Sequence, residues 1–234
     1  MEKNMTVKID AWMEAYKSAV EKQFGKRIWF MGLQGSYGRR EAGEHSDIDV
    51  VLILDNLSPE DLHRYGQLLN DLPYRELVCG FVSGKEELLA WEPSDLFQFY
   101  YDTVPVIGSL DILLKRIQKE DILRAIHSGV CNVYHMCVHN MLHEKSGDIL
   151  RDLYKASGFL LQAIAFYQTG IYKKRKSELL GLLQKEERRI LEQGINLKKG
   201  KELSEKETAL FSSDLMAWSS KWIRYCDSKN KKKS

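Results

Sequence analysis

A continuous apolar run from Val50 to Leu54, opened by Asp49, constrains the fold of this chain more than any other feature. The run has no polar residue that would alternate with the apolar ones. Such a run is typical of a central strand that is buried on both faces of a sheet. The chain has 234 residues, which is enough to bury a sizeable core around this strand. We therefore predict a domain built on a sheet.

Further strands and helices are predicted around this run in the first half of the chain. Stretches rich in β-branched and aromatic residues predict strands, and apolar residues at helical spacing predict helices. One helix has a clear start, because Ser58 can cap it and Pro59 suits its first turn. The predicted strands are 27–33, 49–54, 75–82 and 104–108, and the predicted helices are 9–24, 58–72 and one that contains Trp91, Leu96, Phe97 and Tyr100.

The second half of the chain predicts helices alone. Four of them fit the apolar spacing, roughly 111–145, 148–169, 174–193 and 203–226, and the last break falls between Gly194 and Gly200. Connected helices of this kind favour an antiparallel bundle. The predicted fold class is therefore α+β, with a mixed-sheet domain over residues 1–109 and an all-α helical bundle over residues 110–234.

The net charge and the cysteines limit which partners and which cellular compartment are expected. A formal net charge of +2 at pH 7 gives no argument for a nucleic acid or a membrane as partner. The four cysteines show no paired spacing, which favours buried free thiols in a reducing compartment. With no signal peptide and no apolar segment long enough to span a bilayer, we expect a cytoplasmic protein. The cysteines are Cys79, Cys131, Cys137 and Cys226.

The motif that carries chemistry is Gly35-Ser36 followed by Asp47-Ile48-Asp49. Glycine lets the backbone approach phosphate oxygens closely, and Ser36 adds a hydroxyl donor at the start of the next turn. Asp47 and Asp49 are two residues apart on an extended segment, so both carboxylates point to one side of the sheet. This arrangement suits Mg²⁺, which is usually held by one or two carboxylates together with substrate phosphates. Arg39, Arg40 and Ser46 complete the predicted nucleotide-binding set.

At these residues the chain resembles the nucleotidyltransferase superfamily typified by DNA polymerase beta. The signature of that superfamily is a strand, Gly-Ser, about ten residues, then Asp-x-Asp on the next strand. The added bundle makes the layout similar to that of the aminoglycoside nucleotidyltransferases, and residues 153–159, 169–172 and 176–179 resemble part of their C-terminal domain. The resemblance implies ATP or another nucleoside triphosphate as co-substrate, two Mg²⁺ ions and a cleft between the two domains. It implies transfer of AMP to a hydroxyl group of a small acceptor such as an aminoglycoside.

The superfamily normally places a third carboxylate on a neighbouring strand. Glu76 is the only acid in the predicted strand 75–82, and a salt bridge with Arg75 or Arg39 is its structural alternative. Asp102 is the second candidate, and a helix-terminal cap is its alternative. If neither serves, the site has a reduced set of carboxylates or has lost activity.

Histidines recur every four residues in the first helix of the bundle. A pair at this spacing could bind Zn²⁺, but no further ligand completes a tetrahedron, and packing between helices is the commoner role. The resemblance implies a catalytic base from this helix, and the pKa of histidine suits a base near neutrality. His135 is the candidate base within the row His127, Cys131, His135, His139 and His143.

Three further interpretations stay open. Lys155 either reaches the triphosphate or lies on the surface, and the stripe of Trp218, Trp222 and Tyr225 indicates either a core or a homodimer interface. The resemblance extends to minimal nucleotidyltransferases paired with HEPN-type helical partners, so a protein-adenylylating enzyme of antitoxin type is one alternative. A non-catalytic nucleotide-binding scaffold is the other.

Overall fold

Four strands form one mixed sheet in the first half of the chain, in a computed structural model that describes residues 7–43, 46–197 and 203–231. The strands are β1 (Ile28–Leu33), β2 (Ile48–Leu54), β3 (Val78–Gly84) and β4 (Val104–Ile107). Their spatial order is β3-β2-β1-β4; β1 pairs antiparallel with β2 and β4, and β2 pairs parallel with β3. The apolar run therefore forms an inner strand, and residues 104–107 form the predicted edge strand.

Five helices accompany this sheet within the described residues. The first begins at Ile9 and ends at Phe24 as predicted, and Gly25 follows it with a positive φ of 52°. The third begins after Ser58, whose hydroxyl accepts from the Asp61 N–H while the Asp61 carboxylate accepts from the Ser58 N–H. The helices are α1 (Ile9–Phe24), α2 (Gly35–Gly38), α3 (Pro59–Asn70), α4 (Lys85–Ala90) and α5 (Pro93–Asp102).

Both faces of β2 are buried, which is why its sequence has no polar alternation. On one face Ile48, Val50, Leu52 and Leu54 join a hydrophobic core that includes residues of α1 and α3. On the opposite face Val51 and Ile53 are fully buried as well. Strand β2 is therefore covered on both faces, and the polar residues that flank its apolar run lie at its ends.

The strand predicted over residues 75–82 is displaced in the structure. Residues Arg75–Leu77 form a 3₁₀ turn, and the strand itself covers Val78–Gly84. Tyr74, with a φ of 61°, precedes that turn and redirects the chain before the strand begins. The helix predicted around Trp91 is also divided in two, because α4 ends at Ala90 and α5 begins at Pro93, where a proline suits the first turn.

The chain divides into two compact units after Arg116, and in its described residues the second unit has helices and connecting loops but no strand. The mixed sheet followed by helices confirms the predicted fold class. The boundary predicted between residues 109 and 110 stays a prediction. The helices of the second unit are α6 (Lys119–His139), α7 (Gly147–Thr169), α8 (Lys176–Leu179), α9 (Lys185–Leu197) and α10 (Glu205–Lys231), with a π-helical turn at Asn140–Glu144, and a 3₁₀ helix at Asp111–Arg116 ends the first unit.

The third helix predicted for this unit, 174–193, is two helices in the structure. The chain leaves the helix after Leu179, next to Gly181, and α9 then continues past Gly194 to Leu197. A Cβ at Gly194 would lie 3.4 Å from the Tyr154 carbonyl oxygen, so this glycine allows close packing of α9 on α7. The predicted break therefore starts too early, and its remaining residues, 198–200, lie outside the described ranges. No helix in the described ranges is both long enough and apolar enough to cross a membrane.

Candidate active site

Asp47 and Asp49 lie at the end of the sheet where β1 ends and β2 begins. Ile48, between them, is fully buried in the core on one face, so the two carboxylates face the opposite side. Asp47 is exposed and Asp49 is half-buried. Asp47 makes no hydrogen bond or ion pair with any other residue that the structure describes. Its carboxylate is therefore available to a cation.

Gly35 lies directly against the Asp49 carboxylate. Its φ is +66°, a left-handed conformation that glycine adopts at no steric cost. A Cβ at this position would overlap the Asp49 carboxylate group. The Gln34 N–H also donates to the Asp49 carbonyl oxygen over 2.7 Å. The turn after β1 and the start of β2 thus form one tightly packed unit.

Ser36 lies in the first turn of α2, beside this contact. The amides of Ser36 and Tyr37 precede the first helical hydrogen bonds of α2, so no carbonyl of the helix accepts from them. Ser36 is half-buried, and its hydroxyl makes no hydrogen bond within the described ranges. Amide and hydroxyl donors next to two carboxylates can bind the phosphate oxygens of a ligand whose charge a cation neutralises.

Asp102 and Arg39 form a buried ion pair next to the same turn. Arg39 Nη1 donates to Asp102 Oδ1 over 2.8 Å and to Oδ2 over 2.9 Å, and the Gly35 N–H donates to Oδ2 over 3.2 Å. Arg39 is 9% exposed and Asp102 is 7% exposed. Asp102 is the last residue of α5, and its oxygens face donors of α2. The predicted contact of Arg39 with phosphate stays a prediction.

Two other predicted nucleotide-binding residues lie further along this loop. Arg40 is exposed and pairs with Asp10 of α1 over 3.1 Å. The Ser46 hydroxyl accepts from the Gly43 N–H over 2.8 Å, and Glu44 and His45 between them lie outside the described residues. The structure leaves the roles of Arg40 and Ser46 as predictions.

No acid lies on β3, where the third carboxylate was expected. The parallel register pairs Asp49 with Cys79, so Cys79 occupies the position on β3 that shares the Asp49 face. Glu76 is exposed in the 3₁₀ turn that precedes the strand, and its catalytic role stays a prediction. Cys79 was expected to be buried and is instead exposed, because it lies at the start of an edge strand.

The histidine row follows the outer side of α6 and continues into the π-helical turn. His135 is exposed, and its ring lies 6.5 Å from that of His139, which in turn lies 4.9 Å from His143. His139 Nε2 lies 3.5 Å from Glu144 Oε1. Groups of three metal-ligating side chains are absent from the described ranges. The row therefore offers rings at the surface, and His135 as a base stays a prediction.

The remaining predicted residues belong to the bundle. Lys155 is exposed on α7. On α10, Trp218 and Trp222 are buried, and Trp222 Nε1 donates to the Glu187 carboxylate of α9 over 3.1 Å. Packing within the unit therefore accounts for both tryptophans. A homodimer stays a prediction.

Three residues at the site, Gln34, Thr103 and Cys79, have no role in it that the sequence predicts. Gln34 Nε2 donates to Thr103 Oγ1 over 2.7 Å and to the Phe99 carbonyl oxygen over 3.3 Å. Cys79 was considered only as a thiol. The one local signal for Gln34 is its place immediately before Gly35, whereas Thr103 and Phe99 are more than sixty residues away along the chain.

The donor set fits Mg²⁺ better than a transition metal. Asp47 and Asp49 offer carboxylate oxygens on one face, and no histidine or cysteine joins them in a three-ligand group among the residues described. Magnesium prefers oxygen ligands and usually keeps sites open for water and substrate phosphates. Asp47, Asp49 and the donors of Ser36 would together hold a metal-bound phosphate chain.

Comparisons with known proteins agree with this geometry. Residues 13–121 match the family model described as a nucleotidyltransferase domain. Among solved structures, a similar chain is the spectinomycin adenyltransferase AAD(9) from Enterococcus faecialis, determined with ATP and spectinomycin. The sequences are 13% identical, the match covers 90% of this chain and 99% of that chain, and the TM-score is 0.57. At this identity the likeness shows the fold. A comparison with functionally curated proteins gave no match.

Proposed function

We propose that this chain, a nucleotidyltransferase whose residues 13–121 match the nucleotidyltransferase domain, transfers AMP from ATP to a hydroxyl group of a small acceptor. The contact of Gly35 with the Asp49 carboxylate is the observation that carries this proposal. It joins a turn that can bind phosphate to a pair of carboxylates that can bind Mg²⁺.

The reaction is an in-line displacement at the α-phosphorus. The acceptor oxygen forms a bond to the α-phosphorus, the bond to the bridging oxygen of pyrophosphate breaks, and pyrophosphate leaves. Asp47 and Asp49 would hold Mg²⁺, and Ser36 and the amides of α2 would orient the phosphates. Magnesium, when bound, neutralises the charge that develops on the attacking and leaving oxygens. Catalysis in such a site comes mainly from positioning and electrostatic stabilisation.

The hydroxyl group of the acceptor molecule loses its proton in this reaction, so a base must receive that proton. His135, exposed on α6, is the base that the family resemblance implies, and Glu76, exposed before β3, is the candidate third carboxylate, which can also accept a proton. Each is exposed on the surface of its own unit. We propose Glu76 as the carboxylate and His135 as the alternative base.

We propose an aminoglycoside-type antibiotic as the acceptor. The support is the fold shared with an enzyme that carries the name spectinomycin adenyltransferase, together with the family resemblance of the motif. Transfer to a protein is the rival outcome, as expected of an antitoxin-like enzyme. The small net charge of +2 gives no support for a polynucleotide acceptor.

The test is transfer from α-labelled ATP in the presence of Mg²⁺, with spectinomycin and other aminoglycoside-type antibiotics as acceptors. We expect label on a small molecule and stoichiometric pyrophosphate release, both abolished by a chelator. Label only on protein would replace the proposed acceptor, and no Mg²⁺-dependent pyrophosphate release with any acceptor would refute nucleotidyl transfer.

Asp47→Asn and Asp49→Asn test the metal site in the same assay. We expect each to lower kcat/KM by about 10²-fold or more, because each removes charge that the cations require. The matched control is Asp55→Asn at the opposite end of β2, where Asp55 is an exposed partner of Arg27. That variant should retain the wild-type rate.

A further inference from the structure

We propose that Arg39 and Asp102 are positioning residues, which hold the Gly35-Ser36 turn in the geometry that binds the triphosphate. The inference rests on the proposed function of that turn. It assigns Asp102 a task other than binding metal or accepting a proton.

Asp102 holds both ends of the single helical turn α2. At the start of the turn its Oδ2 accepts from the Gly35 N–H over 3.2 Å, and at the end both of its oxygens accept from Arg39 Nη1. The Arg39 N–H also donates to the Gly35 carbonyl oxygen over 3.1 Å, which closes the turn itself. One carboxylate therefore fixes the entry and the exit of α2.

The burial of this pair makes it strong and geometrically strict. Arg39 is 9% exposed and Asp102 is 7% exposed, so water competes little for either charge. A buried charge that loses its partner is costly, which disfavours arrangements in which the two separate. A one-turn helix has little stability of its own, because helix nucleation is unfavourable. The conformation of α2 thus depends on contacts from outside the turn.

Asp102 also lies at a position of its helix where a carboxylate is electrostatically unfavourable. It is the last residue of α5, and a helix C-terminus carries a partial negative charge that repels a carboxylate. Arg39 supplies the compensating positive charge. The neighbouring Thr103 binds Gln34 through its hydroxyl over 2.7 Å, so the end of α5 contacts the turn at two successive residues. This end of α5 is a scaffold for the turn.

The geometry links the scaffold to the predicted chemistry through Gly35. Its Cα lies against the Asp49 carboxylate, while its N–H is bound by Asp102. A shift of the turn therefore changes the distance between the donors of Ser36 and the metal-binding carboxylates. Displacements of about 1 Å in such a site cost about 10²-fold in rate.

Two double variants isolate the bond to Gly35. Arg39→Met with Asp102→Leu removes both charges of this pair and leaves the Gly35 N–H without an acceptor; the loss of the other partner of Arg39, Glu41 at 3.5 Å, is common to both variants. Arg39→Met with Asp102→Asn also removes both charges but returns a carbonyl oxygen to that N–H. Leucine and asparagine have similar shapes, so the two variants differ chiefly in this acceptor.

The primary measurement is the Kd of Mg-ATP by calorimetry. We expect the leucine variant to bind about 10-fold or more weakly than wild type, and the asparagine variant to recover most of that loss. KM for ATP should follow the Kd, while KM for the acceptor stays unchanged. Amide exchange at residues 35–39 should be faster in the leucine variant than in the asparagine variant. Equal Kd values for wild type and both variants would overturn the inference.

The control is the ion pair of Arg27 with Asp61, at the opposite end of β1, about 20 Å from Gly35 at the rise of an extended strand. Arg27→Met with Asp61→Asn should lower stability and leave the Kd of Mg-ATP within about twofold of wild type. A comparable loss of binding in this control would show that instability alone explains the effect, and would overturn the inference.

Failure of the proposed function gives a different pattern. Wild-type protein that binds Mg-ATP without releasing pyrophosphate refutes nucleotidyl transfer, and the Kd comparison still decides the role of Asp102. If wild type binds no Mg-ATP, amide exchange decides. If amide protection at residues 35–39 is the same in the leucine variant as in wild type, the inference is overturned. If protection is lost in the leucine variant and restored in the asparagine variant, Asp102 fixes the turn.

Discussion

Gly35 is the residue at which backbone conformation and site chemistry meet. Alanine there would carry a φ of +66° and place its Cβ within the Asp49 carboxylate. We expect Gly35→Ala to lower kcat/KM by about 10²-fold and to raise the Mg²⁺ concentration for half-maximal rate, because Asp49 must move. A left-handed alanine also costs about 1–2 kcal/mol, so the melting temperature should fall.

The matched control for this change is Gly66→Ala in α3. A Cβ at Gly66 meets nothing within 4 Å, and Gly66 has no positive φ. Alanine in a helix interior is favoured over glycine by about 1 kcal/mol, so stability should rise and activity should stay unchanged. Wild-type Mg²⁺ dependence in Gly35→Ala would contradict the contact described for Asp49.

Glu76 is the proposed third carboxylate, because β3 itself carries no acid. We expect Glu76→Gln to lower kcat by at least about 10²-fold with KM for ATP nearly unchanged, as for loss of a general base. A wild-type kcat would remove Glu76 from the mechanism. Glu86→Gln, an exposed acid on α4, is the control and should keep full activity.

The register of β3 gives a second form of this experiment. Cys79 lies level with Asp49 on the same face, so Cys79→Asp places an acid where β3 carries none. In a Glu76→Gln background we expect this change to restore part of kcat. Restoration by Cys79→Ala as well would show that the thiol, and not the missing charge, limits the rate.

At the scale of elements, the capping box of α3 makes stability depend on pH. The Arg27 guanidinium, followed by the Ser58 hydroxyl, holds the pKa of the Asp61 carboxyl well below its usual range. A carboxyl with a lowered pKa in the folded state contributes stability above its unfolded pKa of about 3.9, and this contribution is lost as pH falls towards the folded value. The difference in unfolding free energy between wild type and Asp61→Asn should thus be constant above about pH 5.

That difference should shrink as pH falls below about 4, which urea unfolding at a series of pH values would measure. Ser58→Ala should cost about 1 kcal/mol at neutral pH through loss of the cap. A difference for Asp61→Asn that does not change between pH 7 and pH 3 would contradict the pairing with Arg27.

Elements with local signals were predictable from the sequence, and elements set by distant contacts were not. The end of α1 and the start of α3 follow from Gly25 and Ser58, which act within one turn of the helix. The start of β3 follows a left-handed Tyr74, for which no sequence signal was available. The continuation of α9 through Gly194 depends on close packing against Tyr154, some forty residues earlier.

The same division holds for the site. Gly35, Ser36, Asp47 and Asp49 belong to two consecutive strand ends, so spacing alone indicates them. Asp102 meets Gly35 across 67 positions of sequence. Only the fold brings the end of α5 to the turn. From the sequence alone, Asp102 could be either a helix cap or a catalytic acid.

At the scale of the whole molecule, the four thiols distinguish site events from global unfolding. Cys79 is exposed and Cys131 is half-buried, whereas Cys137 and Cys226 are buried in the helical unit. Burial raises the pKa of both buried thiols to about 11, so their thiolate fraction at pH 8 is small even when a reagent reaches them. We expect mass spectrometry of the native protein to show rapid modification of Cys79 and slower modification of Cys131.

Cys137 and Cys226 should react only as fast as the helical unit opens, so their rates should rise together with urea while that of Cys79 changes little. Because Cys79 shares the Asp49 face, Mg-ATP should slow its modification, and ATP with a chelator should not. Cys137 and Cys226 serve as the internal reference, since their rates report how fast the helical unit opens. Equal slowing of Cys79 and of these two buried thiols would indicate a general stabilisation by the ligand, and no slowing of Cys79 would place the nucleotide away from the start of β3.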